Sequence, residues 1–91
     1  MIVKMNIEDL INLIINLKGR CIIKLIGLVN FTIIINKLGL LTENSKLWLT
    51  DKSKKILCID THQIMKIYIN KENIIVIKLD QLLEVNIIYL K

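Results

Sequence analysis

The sequence predicts an α+β fold: one N-terminal helix over about residues 6–18, then a strongly bent antiparallel meander of six or seven short strands between about residues 20 and 90. Three observations carry this. Apolar residues recur at helical spacing up to Lys18, the period falls to two after Gly19, and glycine or polar clusters keep every later run short.

Between Asn6 and Lys18 the stripe is Ile7, Leu10, Ile11, Ile14, Ile15 and Leu17, broadened by Leu13. The Asn6 side chain suits the cap, Glu8 and Asp9 favour the positive end of the helix dipole, and Gly19 is a stop signal. Glu8, Asn12, Asn16 and Lys18 are left for solvent.

Residues 20–26 then alternate, with Cys21, Ile23 and Leu25 on one face and Ile22, Lys24 and Ile26 on the other. Residues 31–36 do the same, with Phe31, Ile33 and Ile35 opposed to Thr32, Ile34 and Asn36, and Gly27 and Asn30 punctuate the pair. Residues 36–39 read as a turn and 42–45 as a polar loop. A hairpin follows from residues 46–50 and 55–60, with Asp51, Lys52, Ser53 and Lys54 at its tip. Leu47 and Leu49 face inward in this reading, and Trp48, of opposite parity, faces outward. Residues 61–63 are a short connection, residues 66–70 and 73–80 form a second hairpin across Lys71 and Glu72, and residues 83–90 alternate as the last strand.

Sequential strands usually pair with their neighbours, which favours closure into a small, partly open barrel. The order of a helix and then short strands resembles that of SH3-like and Sm-like barrels. The resemblance is one of architecture: residues 46–69 lack the glycine and asparagine signature with which Sm proteins hold RNA, so no binding residue carries over.

The 91 residues allow one domain, 1–91, in which folding buries roughly 60–65% of the chain's surface. The hydrophobic fraction is 54% and the mean hydropathy +0.57, more apolar surface than so small a core readily hides. Isoleucine alone fills 21 positions. No membrane span is expected, because the most apolar window, 21–41, is broken by Lys24, Asn30, Asn36 and Lys37. The N-terminus shows no export signal, and the two cysteines lack the density of a disulfide scaffold, so a reduced cytoplasmic location is expected.

Three sets of residues could carry function. Cys58, Asp60 and His62 would share a face on a continuing strand, but one His and two Cys are few for a closed zinc site, and nothing supplies an oxyanion donor. Strand filler and turn are the expected roles, with no metal, no cofactor and no catalysis. The second set is basic: with net charge +5, Lys52, Lys54 and Lys55 crowd a hairpin tip beside Lys46 and Trp48, an arrangement that could hold phosphates and stack a base. One Arg and four aromatics are few for such a surface, and a solvated tip that discourages edge aggregation is the plainer reading.

The third set is the apolar surplus. Ile22, Ile26, Ile34, Ile74, Val76, Ile88 and Leu90 fall on strand faces opposite the assigned core, and one helix covers only part of them. Patches of that kind mark interfaces, unless strands buried on both faces absorb them. The expected function is therefore a non-enzymatic protein-binding module, a small regulator or inhibitor of a larger enzyme, acting through an apolar strand face that includes Ile74 and Val76 and forming a homodimer or holding a protein partner. The alternative is a nucleic-acid-binding barrel using Lys46, Trp48, Lys52, Lys54 and Lys55.

Overall fold

The helix begins where the sequence places its cap. Asn6 Oδ1 accepts from the Asp9 N–H at 2.8 Å while Asp9 Oδ2 accepts from the Asn6 N–H at 3.2 Å, a reciprocal capping box. The computed structural model describes residues 3–17, 19–80 and 82–90. In chain order these form β1 (Val3–Met5), α1 (Ile7–Asn16), β2 (Cys21–Ile26), β3 (Phe31–Ile35), β4 (Leu38–Glu43) and β5 (Lys46–Asp51). Then come β6 (Lys54–Asp60), a 3-10 turn (Thr61–Gln63), β7 (Lys66–Ile69), β8 (Ile75–Lys78) and β9 (Glu84–Tyr89).

The strands make two antiparallel sheets, a six-stranded one in the order β1-β7-β8-β9-β2-β3 and a three-stranded one in the order β4-β5-β6. Neighbours in sequence do pair within each hairpin group. Two pairings join distant segments: β9 lies along β2 in register from Cys21↔Tyr89 to Ile26↔Glu84, and β1 lies along β7. The sheets do not close into a barrel; among the described residues, β1 and β3 are left as edges of the larger sheet.

One hydrophobic cluster links all three layers. Leu10 and Ile14 of α1 meet Cys21, Ile23, Ile35, Ile67, Ile75, Ile77, Val85 and Ile87 of the large sheet and Leu38, Leu47, Leu49 and Ile59 of the small one. Burial of each such side chain contributes about 1.5–3 kcal/mol. The inward parity of Cys21, Ile23, Leu47 and Leu49 is as the alternation predicts.

The strand count exceeds the sequence expectation because two strands carry no period-two signal. β1 has only three residues, and β4 contains Gly39 and the adjacent pair Leu40-Leu41 where residues 36–39 and 42–45 read as turns. β8 is shorter than residues 73–80: Asn73 turns with φ 61°, and Asn70 Oδ1 accepts from the N–H groups of both Glu72 and Ile74, closing the loop before the ladder starts. The helix ends at Asn16, and Lys18 lies outside the described residues.

One strand face departs from expectation. Val76 is only 3% exposed, although it points away from the core shared by Ile75 and Ile77. Its cross-strand neighbours on that face are Tyr68 and Asn86, and a short valine between two longer side chains is shaded by them. Ile22, Ile26, Ile74 and Ile88 are half-buried, so much of the presumed apolar face is already withdrawn from water.

Gly39 has a specific reason to lack a side chain. It sits opposite Thr50, and a Cβ there would approach Thr50 Oγ1 to 2.6 Å. Gly39→Ala is expected to destabilise the fold by about 1–3 kcal/mol in urea unfolding, and Thr50→Ala in the same chain to recover part of that loss through coupling between the two sites. The β5–β6 turn places Lys52 at φ 50° and Ser53 at φ 70°, conformations that favour Asn and Gly. Ser53→Gly should therefore stabilise the fold by about 0.5–1 kcal/mol in urea unfolding, read as a higher midpoint at unchanged slope.

Candidate functional site

The small sheet presents one outward row of Leu41, Trp48 and Cys58, directly opposite one another across β4, β5 and β6. Trp48 faces outward, as its parity predicts, but it is half-buried rather than free. The Lys55 ammonium lies 4.9 Å from the centre of its ring, and the same Nζ is 3.7 Å from Glu43 Oε2. The stacking face is thus capped by a cation, a contact that contributes roughly 0.5–1 kcal/mol at an exposed site. Lys46 stands across from Glu43 on one side and Asp60 on the other. Of the basic set, Lys46, Lys52 and Lys54 are exposed with no carboxylate among the described residues within ion-pair reach.

The Cys58–Asp60–His62 pattern is separated by a change in the backbone. β6 ends at Asp60, whose Oδ1 accepts the His62 N–H at 2.9 Å and so caps the 3-10 turn. Thr61 anchors that turn by donating both N–H and Oγ1–H to the Ser45 carbonyl, at 2.9 and 2.8 Å. His62 therefore leaves the strand face that Cys58 occupies. No group of three metal-ligating side chains comes together among the described residues.

Two further features were legible only in part, through the outward parity of Ile34, Ile74, Ile88 and Leu90. A cleft of about 940 Å³ opens between the C-terminal half of α1 and the β7–β8–β9 strands, lined by Leu13, Leu17, Ile69, Ile74, Ile88 and Leu90 among others. Ile74 thus lines a groove. The second feature is an apolar end of the large sheet. In the β2–β3 loop Leu28 is 94% exposed and Val29 64%, and on β3 Phe31 is 59% and Ile34 60% exposed. Leu82, 70% exposed, belongs to the β8–β9 loop, which lies against this one: a Cβ on Gly27 would be 3.1 Å from Leu82 O and from Leu83 Cδ1.

Phe31 shows why alternation missed this surface. It has the inward parity of Leu25 and Val85, yet it is 59% exposed. The available signal was charge: no ionisable side chain occurs from Leu25 to Asn36.

The large sheet, small sheet and single helix define a small antiparallel α+β protein, with no helix among the described residues long and apolar enough to cross a membrane. Comparison with protein-family models, with curated proteins and with solved structures finds no match.

Both cysteines are free thiols, Cys21 buried and Cys58 exposed. Burial pushes the Cys21 thiol from 9.0 up to about 11, and the Asp51 carboxylate adds to the shift. Burial also raises Tyr89, the cross-strand partner of Cys21. A group whose folded pKa is raised keeps its proton longer in the native state, so stability is full below pH 9 and falls as pH climbs toward 11. Thermal melts between pH 8 and 11 should show that decline, and Cys21→Ala should flatten it. A thiol reagent at pH 8 should label Cys58 alone in the native protein and both thiols after unfolding.

Proposed function

We propose that the protein is a non-enzymatic protein-binding module, a small cytoplasmic regulator or inhibitor of a larger enzyme, that docks through the apolar edge formed by Leu28, Val29, Phe31, Ile34 and Leu82. The observation that carries this reading is the exposure of Leu28, Val29, Phe31 and Ile34, Leu28 almost completely, on a segment without a charge, beside Leu82 of the β8–β9 loop. Exposed apolar side chains gathered on both faces of one sheet end are a mark of interfaces. The reading moves the docking surface from the Ile74–Val76 face to the β3 edge, because Val76 is covered within the chain itself. The nucleic-acid alternative now rests on Lys46, Lys52 and Lys54, since Trp48 is capped by Lys55.

Affinity capture from the native host tests the reading. Wild-type protein should retain a discrete protein partner, and Leu28→Asp/Phe31→Asp should lose it by about 30-fold or more in affinity, the scale of a central interface residue. Circular dichroism checks that the double variant keeps the fold, Leu28 being 94% and Phe31 59% exposed. Retention that depends instead on Lys52, Lys54 and Lys55, lost on their joint change to Glu and falling steeply with salt, would replace this reading with the nucleic-acid one.

A further inference from the structure

We propose that the free edge of β3 pairs with β3 of a second copy of this chain, antiparallel about a two-fold axis at Ile33. The inference rests on the reading that this edge is a protein-binding surface and takes a second copy, in place of a larger enzyme, as its occupant. β3 ends the six-stranded sheet, with β2 on one side and no strand among the described residues on the other. The group that satisfies a row of strand N–H and C=O donors and acceptors is another extended strand.

Three observations select the chain's own copy. Solvent-exposed edges are ordinarily protected by Lys, Pro or a bulge, and residues Phe31–Ile35 carry none of these while their sequence is Phe-Thr-Ile-Ile-Ile. The segment is its own complement, because a two-fold centred on Ile33 sets Thr32 against Ile34 of the partner and Phe31 against Ile35 of the partner, with no charge opposed to a like charge. The area sets how the copies must sit. With side chains of this size offering roughly 150–200 Å² each, the exposed surface of Leu28, Val29, Phe31 and Ile34 is about 500 Å² per copy and about 1,000 Å² for the pair, so the pairing reaches the lower bound of a specific interface when it covers the β2–β3 loops together with the strands.

Light scattering coupled to size exclusion, from about 1 to 300 µM, reads the mass directly, spanning the affinities expected of an interface of that size. The expected result is a shift from 10.6 kDa toward twice that mass as concentration rises. Thr32→Lys/Ile34→Lys opposes like charges at both Thr32–Ile34 contacts of the two-fold pair and should weaken dimerisation about 30-fold or more. Thr32→Lys/Ile34→Glu opposes unlike charges at the same contacts and should restore it, a rescue that requires the antiparallel two-fold register. Unchanged circular dichroism in both variants shows that the change lies in association. A monomer at 300 µM, or a dimer indifferent to both variants, overturns the inference. A monomeric wild type whose host partner is still lost on Leu28→Asp/Phe31→Asp overturns the second copy while the binding-module reading stands; absence of both fails both.

Discussion

The pairing of β9 with β2 is the constraint on which the remaining architecture depends. It runs over six residue pairs and joins two hairpin groups that would otherwise be separate ribbons, β2–β3 and β7–β8–β9. An isolated two-stranded hairpin is marginal in water, whereas a sheet of six strands with a helix and a second sheet against one face can bury a row across every strand. Ile23 and Ile87 face each other in this ladder, and both are fully buried. Because the pairing joins residues about sixty positions apart, the loop-closure entropy is met only when the surrounding core forms, which binds the stability of each hairpin to that of the others.

That construction also sets where the apolar surplus goes. Inner strands are flanked on both sides, so even the outward Val76 loses its solvent to Tyr68 and Asn86. β3 has a neighbour on one side only, and there Phe31 and Ile34 stay wet while Ile35 is buried. Position in the sheet, more than hydrophobicity of the strand, thus decides which apolar residues become surface. The small sheet handles its outward row differently, shielding Trp48 with a lysine that also reaches Glu43.

The local features of the fold were largely readable. The helix and its cap, the inward parity of Leu47 and Leu49, and the outward parity of Trp48 each follow from spacing within a few residues. The sheet order was not, since nothing in residues 21–26 or 84–89 specifies that they meet, and alternation is compatible with either neighbour. The short β1 and the glycine-broken β4 carry too little pattern to register as strands. Burial of Val76 and exposure of Phe31 escaped for one shared reason: parity tells which face a residue takes, while cover depends on how far the opposing layer extends. The candidate site was legible only in part, as the missing charge from Leu25 to Asn36 and as an isoleucine surplus without an address.

The β9–β2 ladder has a consequence for the chain as it is made. At about 5–20 residues per second, the residues of β9 leave the ribosome roughly 3–12 s after those of β2. Throughout that interval the β2–β3 hairpin has both its edges open, not only the one that stays open in the finished fold, and its uncharged stretch offers two strand templates instead of one. The nascent chain is at its most adhesive just before its last strand arrives, and rapid translation of the segment between them shortens the exposure.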